Sequence, residues 1–193
     1  MPTIISGKRR GAKLLAPTTC DVRPTLARVK EALFSMLASE LQSFQGLRVL
    51  DPFAGTGALG LEAWSRGATH VDLFESHTHT HTLLKKNILR LQAQNECHAH
   101  LGASPAAWKQ LPPPPYDLIL CDPPYAANLL TSTLNALLQN TRIHSSSLIS
   151  LETAPQAPLD LPHGLAIIKQ RQYGDCLITL VTQQNHEHSE HTP

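Results

Sequence analysis

Between Leu47 and Gly60 the chain reads Leu-Arg-Val-Leu-Asp-Pro-Phe-Ala-Gly-Thr-Gly-Ala-Leu-Gly. Leu47, Val49 and Leu50 supply a short buried strand. Gly55 and Gly57 allow a sharp turn and a close approach to a ligand, where a Cβ would collide or forbid the required φ. A helix from about Ala58 then points its free N–H groups back toward that ligand. Asp51 stands at the carboxyl end of the strand, the edge at which open α/β sheets bind ligands.

Gly55, Gly57 and Gly60 fit G-x-G-x-x-G, and Glu75 lies 20 residues beyond Gly55. That spacing is the dinucleotide fingerprint, and both NAD and S-adenosylmethionine satisfy it. Asp51 tilts the choice. A carboxylate beside the loop suits a cationic sulfonium that also carries an ammonium group, and suits a pyrophosphate poorly. The segment Asp122-Pro123-Pro124-Tyr125, 71 residues beyond Asp51, tilts it the same way for reasons given below.

Elsewhere along the chain, strands and helices alternate. Arg23-Pro24-Thr25 opens a helix that Thr25 caps, with Leu26, Val29, Leu33, Leu37 and Leu41 recurring at helical spacing through about Phe44. Arg28, Lys30 and Glu31 fall off that stripe, toward solvent or the cofactor mouth. The helix after the glycine loop, 58–66, stops at Gly67. A strand over 69–75 ends in Glu75, and a helix over 76–94 turns Leu83, Leu84, Ile88 and Leu91 inward. A third strand covers 97–101. Ser104-Pro105 reads as a cap followed by proline at the first helical position, opening a short helix through Trp108. Residues 112–115 are a stiff proline connector. A buried strand over 116–121 delivers Asp122. A helix over 129–140, a strand over 147–152 and a hairpin with strands 167–172 and 176–181 complete the domain, and the polar tail from Gln183 is expected to be disordered. The expected fold is a mostly parallel, doubly wound α/β sheet with right-handed crossovers and one antiparallel edge. The division is a basic arm or hairpin over 1–22, a domain over 23–182 and a tail over 183–193.

Composition excludes several classes. No apolar run reaches the ~20 residues of a membrane helix, and the N-terminus lacks a signal-peptide core. The four cysteines are scattered without a C-x-x-C, which fits a reduced, cytoplasmic protein. His77, His79 and His81 alternate along a helix and splay over different faces, so no metal site is expected. The net charge of +1 conceals an asymmetry. In residues 1–30 seven cations, among them Lys8, Arg9, Arg10, Lys13 and Arg23, face Asp21 alone, and the remainder is net acidic. A basic arm on an acidic domain points to a polyanionic partner.

The chemistry centres on Asp122-Pro123-Pro124-Tyr125. In a doubly wound sheet the first and fourth strands are neighbours, so this loop sits beside the cofactor. The prolines hold the turn rigid and leave carbonyls free. Asp122 and the Pro123 carbonyl can accept both hydrogens of an exocyclic amine. That grip favours a pyramidal, nucleophilic nitrogen in line with a sulfonium methyl. Tyr125 offers a stacking face for a base that has left its own stack.

These segments resemble the ribosomal small subunit methyltransferase D family. The matching pieces are Ile4-Ile5-Ser6-Gly7-Lys8 with Arg10-Gly11 and Leu14, Arg23-Pro24-Thr25 through Phe34, Asp51 through Ala63 with Ser65-Arg66-Gly67-Ala68, and Asp122 through Tyr125. The resemblance covers roughly residues 3–182, and the Arg23-Pro24-Thr25 segment is its more family-specific part. It implies a Rossmann-like class I methyltransferase fold with S-adenosylmethionine as cofactor. It also implies transfer of a methyl group to the N2 of one guanine in 16S rRNA, alone or within an assembled small-subunit particle. By this similarity Asp51, Phe53, Ala54, Gly55, Gly57 and Glu75 hold the cofactor, and Asp122, Pro123, Pro124 and Tyr125 serve the target base. Lys8, Arg9, Arg10, Lys13 and Arg23 are the expected RNA contacts of a chain acting as a monomer away from membranes. Two positions depart from the family: Ala27 replaces the usual Asp, and Gly102-Ala103 stand where an Asp or Asn commonly meets the adenine. Adenine-N6 methylation of DNA or RNA is the alternative activity, since the Asp122 loop suits any exocyclic amine. An NAD-dependent oxidoreductase would leave that loop without a use.

Overall fold

The computed structural model describes residues 1–17, 24–107, 115–124 and 127–184. Strands β1 (Arg48–Asp51), β2 (His70–Glu75), β3 (Cys97–Leu101), β4 (Leu118–Cys121), β5 (Leu148–Thr153), β6 (Leu165–Tyr173) and β7 (Cys176–Gln183) form one sheet. Its order is β3-β2-β1-β4-β5-β7-β6. The first five strands run parallel, β7 is antiparallel to β5, and β6 is antiparallel to β7. Helices α1 (Pro24–Leu41), α2 (Gly60–Arg66), α3 (Thr78–Leu91) and α4 (Ala127–Gln139) cover the two faces. Val49, Val71, Leu73, Leu118 and Leu120 belong to the core shared with α1, α2 and α3. Leu50, Phe74, Ile119, Ile149 and Leu151 share the other core with α4. Burial on both faces is why Val49-Leu50 of β1 and all four residues of β4 are consecutive apolar residues rather than alternating ones.

Several boundaries differ from expectation. Helix α1 begins at Pro24, so Thr25 lies inside the first turn, where a proline without an N–H is tolerated. It ends at Leu41, and Phe44 packs into the core from the following loop. Lys30 is not on an exposed face but buried, because a carboxylate waits for it on α2. Helix α2 begins at Gly60 rather than Ala58; residues 55–59 are spent on the turn. Ser104 does not cap a helix. Residues 104–106 form a turn, with the Ser104–Pro105 peptide cis. Strand β7 runs to Gln183, into the segment expected to be tail. Trp108, Pro112, Pro113, Pro114 and the tail beyond residue 184 lie outside the described residues.

The basic segment folds back on itself. Ile4 N–H donates to the Ala12 carbonyl at 2.9 Å, Gly11 N–H to Ile4 at 2.8 Å and Leu14 N–H to Pro2 at 2.8 Å. Ile4 and Leu14 are each 1% exposed and sit in the α1–α2–α3 core, a burial that contributes about 1.5–3 kcal/mol apiece. Glu62 of α2 fixes the strand leading into the turn, accepting from Ile5 N–H at 2.7 Å and Ser6 N–H at 3.0 Å. Among the described residues no helix is long and apolar enough to cross a membrane.

Candidate active site

The strand order reverses between β1 and β4, which pair directly through Val49–Leu118 and Leu50–Ile119. Loops after those two strands diverge and leave a crevice at their carboxyl ends. A cavity of about 840 Å³ lies there. Its walls include Phe53 after β1, Glu75 at the end of β2, Ser104 after β3, Asp122 and Pro123 after β4, and Glu152 at the end of β5.

Two buried aspartates on adjacent strands show which side of the fold is built for a ligand. Asp72 on β2 is saturated: His70 at 2.8 Å, His100 at 2.7 Å and the Tyr116 hydroxyl at 2.7 Å all donate to it. Burial alone would raise its carboxyl, but the hydrogen bonds from His100 and Tyr116 and the charge of His70 outweigh burial and hold it near 2. Asp51 on β1 is 1% exposed and is not saturated. Its Oδ2 accepts the Gly60 N–H at 3.0 Å, which fastens the start of α2, while Oδ1 is buried without a partner among the described residues. Burial raises Asp51 to about 7 against the opposing backbone N–H groups of Gly60 and Phe53, with the charge of Asp122 adding to the rise. A carboxylate left in this condition is stabilised by a donor or a cation arriving beside it.

Close packing explains the glycines. A Cβ on Gly60 would sit 3.2 Å from Asp51 Oδ2 and 2.7 Å from Leu73, displacing the carboxylate from the helix start. Gly57 has φ +92°, and a Cβ there would lie 2.7 Å from both Leu61 and Leu84. The crowding at Gly57 therefore comes from the core beneath the loop rather than from the ligand side. Gly55 faces open space, and Ala54 is tied down by its N–H to the Phe74 carbonyl at 2.8 Å. Asn87 of α3 clamps the same loop, donating to Thr56 O at 2.9 Å and exchanging two hydrogen bonds with Leu15.

Glu75 ends β2 with its side chain 10% exposed on the cavity wall. Its Oε1 accepts the His77 N–H at 2.7 Å, which fixes the carboxylate's orientation at the opening of α3. Gly102 and Ala103 line the cavity with Ser104. The buried Ser104 hydroxyl, 3.3 Å from Thr133, is the nearest polar side chain in sequence to the family's missing Asp or Asn. Asp122 opens onto the cavity, yet the surrounding walls remove enough water to push its carboxyl above the ordinary carboxylate range. Glu152 is raised too, by burial first and then by the charge of Asp122. Glu75, Asp122, Glu152 and Asp175 all line the cavity, and four carboxylates around it make it a site for a cation.

Of the residues anticipated from sequence, Phe53, Glu75, Asp122, Pro123 and Pro124 line the cavity. Asp51, Ala54, Gly55 and Gly57 form the loop and strand end that support it. Tyr125 and Arg23 lie outside the described residues. Arg10 and Lys13 are exposed, whereas Lys8 pairs with Glu96 and lies 4.1 Å over the Trp64 ring. Arg9 holds the carboxyl end of α3 through Leu91 O and Gln92, both at 2.9 Å. Sequence reasoning missed Glu152, which the parallel strand β5 brings to the cavity, and Tyr173 and Cys176, which the antiparallel edge brings there from late in the chain.

A parallel sheet of this order, with the glycine loop after β1, the acidic β2 end and a proline-stiffened loop after β4, is the architecture of a class I methyltransferase. The solved structure of yhhF from Escherichia coli superposes with a TM-score of 0.81 at 30% identity, over 94% of this chain and 97% of that one. The ribosomal RNA small subunit methyltransferase D of Haemophilus influenzae is 34% identical over 173 residues, 89% of this chain and 88% of that protein. The Escherichia coli protein of the same name is 39% identical over 151 residues, 78% of this chain and 73% of that one. The family described as Conserved hypothetical protein 95 matches residues 3–182. The chain belongs to this family, that of the ribosomal RNA small subunit methyltransferase D proteins.

Proposed function

We propose that this protein transfers a methyl group from S-adenosylmethionine to the exocyclic N2 of one guanine in small-subunit (16S) ribosomal RNA. The observation that carries the reading is that Asp122 and Pro123 share one cavity with Glu75 and with Pro52 and Phe53, the residues that directly follow the unsaturated Asp51. The resident residues fit the cofactor: an unpartnered buried carboxylate oxygen at Asp51, an oriented carboxylate at Glu75 and an acidic wall. When bound, S-adenosylmethionine supplies an electrophilic methyl on a sulfonium sulfur. Glu75 takes the ribose hydroxyls. Asp122 and the Pro123 carbonyl accept the hydrogens of the target amine and aim its lone pair at that methyl. Asp122, or a water beside it, would receive the proton that the amine gives up on accepting the methyl group. The choice of guanine N2 is supported by the family relationship, since the loop itself suits any exocyclic amine.

Small-subunit particles from cells lacking this protein, incubated with it and labelled cofactor, are expected to carry label in N2-methylguanosine on nucleoside mass spectrometry. Label in N6-methyladenosine would replace this reading with the adenine one.

Glu75→Ala weakens S-adenosylmethionine binding ~10-fold or more, since hydrogen bonds to a charged group contribute ~1.5–3 kcal/mol and each 1.4 kcal/mol is a decade. Glu75→Gln keeps an acceptor for the His77 N–H and loses less. Calorimetry decides, and unchanged affinity in the alanine variant removes Glu75 from the site.

Arg10 and Lys13 are the exposed arm cations whose side chains carry neither an ion pair nor a hydrogen bond among the described residues. Replacing both with alanine lowers RNA affinity and reduces the slope of log K against log salt by up to ~2 units, at ~0.9 per phosphate contact. Cofactor affinity stays as it was. An unchanged slope would make the pair ordinary surface.

A further inference from the structure

The Asp122 loop can grip an amine but cannot tell which base carries it. Guanine presents an N1–H donor directly beside its N2 amine, whereas a purine with the same amine and a bare N1 presents a lone pair there. Enzymes that take a base out of its stack read this edge by hydrogen bonds. We infer that Glu152 reads it here: its carboxylate accepts the N1–H of the target guanine while Asp122 holds the neighbouring amine, so purines with a bare N1 are disfavoured. The inference rests on the guanine-N2 reading above.

Register places the two carboxylates together. Cys121 pairs with Leu151 in the parallel ladder between β4 and β5. The next residues, Asp122 and Glu152, therefore follow the last paired residues of two adjacent strands, whose backbones run ~4.8 Å apart. Both line the cavity. The N1–H and N2 amine of guanine are adjacent donors on one edge of the base, so two acceptors that line one cavity can each take one.

Glu152 has no sufficient structural occupation. Among the described residues its one hydrogen-bond partner is the Cys176 thiol on β7, 3.6 Å from Oε2. A thiol is a weak donor. The adjacent Thr153 hydroxyl, on the same wall, is buried with no partner. A carboxylate used only to hold the hairpin would have a stronger donor than sulfur. A half-buried carboxyl so poorly satisfied is completed by a donor from a ligand.

The groups facing Glu152 also set its protonation. Asp122 from β4, Asp51 from β1 and Cys176 from β7 surround it, and none is a cation. Burial and the first two raise its carboxyl, so the free protein holds a proton there more readily than an ordinary glutamate does. A neutral Glu152 can donate to a bare purine N1; an ionised one can only accept. Discrimination between guanine and a bare-N1 purine therefore grows as pH rises.

The test uses 2-aminopurine, which keeps the N2 amine and lacks the N1 hydrogen. Nucleoside mapping of labelled particles first fixes the target nucleotide, and particles are then reconstituted with 2-aminopurine at that position. The wild-type protein is expected to prefer guanine, with a ratio of methylation rates that rises from the acid to the alkaline side of neutrality. Glu152→Gln, whose amide can accept from an N1–H or donate to a bare N1, is expected to lower the ratio ~10-fold or more and to flatten its pH dependence, with cofactor affinity retained. A wild-type ratio that does not change with pH overturns the inference without recourse to any variant, and so does an unchanged ratio in Glu152→Gln. Label in a nucleoside other than N2-methylguanosine removes the guanine-N2 reading itself, and this inference with it.

Discussion

Replacing Asp122 with alanine lowers methyl transfer by ~10²–10³-fold, the scale of losing one preorganised contact to the transition state. The protein still folds and still binds S-adenosylmethionine. The reason lies in where Asp122 stands. It follows β4, whose four residues are all buried and hold the strand without help from the loop. The cofactor's expected contacts come from β1 and β2 and their loops, so on the proposed reading the carboxylate at 122 borders the donor and holds the acceptor. Asp122→Asn retains more activity, because its carbonyl oxygen still accepts from the amine. It also separates the two roles of the carboxylate. Partial loss of water at the cavity wall raises the exposed Asp122 above the ordinary carboxylate range, so the wild-type rate falls as pH drops and the acceptor is protonated. The asparagine variant has no such group at 122 and loses that part of the acid limb. Single-turnover rates with particles from cells lacking the protein, alongside calorimetry with the cofactor, measure both. An alanine variant within ~3-fold of wild type would place the acceptor grip elsewhere, against the scale above.

The parts of this site legible in the sequence are those in which a local rule and the tertiary fold agree. Leu47 to Gly60 announces strand, turn and helix because buried parallel strands are apolar runs and because the turn needs glycine. Asp122-Pro123-Pro124 announces itself because prolines directly after an apolar run end a strand. The adjacency of β1 and β4 follows from doubly wound topology. The parts that were not legible depend on partners far away in the chain. Lys30 lies off the apolar stripe of α1 and looks like a surface cation; it is buried because Glu62 and the Thr3 carbonyl receive it. Asn87 is a polar residue among Leu84, Ile88 and Leu91, and it is the Thr56 carbonyl and the N–H and carbonyl of Leu15 that give it a use. Glu152 reads as the last residue of an ordinary strand until the β6–β7 hairpin seats Cys176 and Tyr173 beside the cavity. Lys8 and Arg9 count as RNA contacts by charge alone, yet the fold has already engaged both.

Glu62→Ala is expected to destabilise the protein by ~3–5 kcal/mol, the cost of leaving a buried charge without its partner. At this chain length that corresponds to a fall in Tm of roughly 6–20 °C. Glu62 is 0% exposed and collects four donors: the Ile5 and Ser6 N–H groups, Arg66 at 2.9 Å and Lys30 at 3.3 Å. Truncation orphans the two backbone N–H groups and leaves Lys30 buried with only the Thr3 carbonyl at 2.7 Å. Burial already lowers the Lys30 ammonium below its ordinary range despite the Glu62 charge, so losing that charge lowers it further. Lys30→Met is the milder change. It removes the buried ammonium and fills a similar volume, while Glu62 keeps Arg66 and both N–H donors. The two substitutions together should therefore cost less than the sum of each alone, because Glu62→Ala without Lys30 leaves no unpaired ammonium. The loss is also local before it is global. Ile5 and Ser6 lead into the turn that carries Arg10 and Lys13, so hydrogen exchange at those two amides rises first, and RNA affinity falls with it while the cavity still binds cofactor. Thermal melts of the single and double variants, with exchange measured at Ile5 and Ser6, decide the matter. A Tm within about 2 °C of wild type, on the same scale for this chain length, would mean that water replaces the carboxylate and that the arm is held by Ile4 and Leu14 alone.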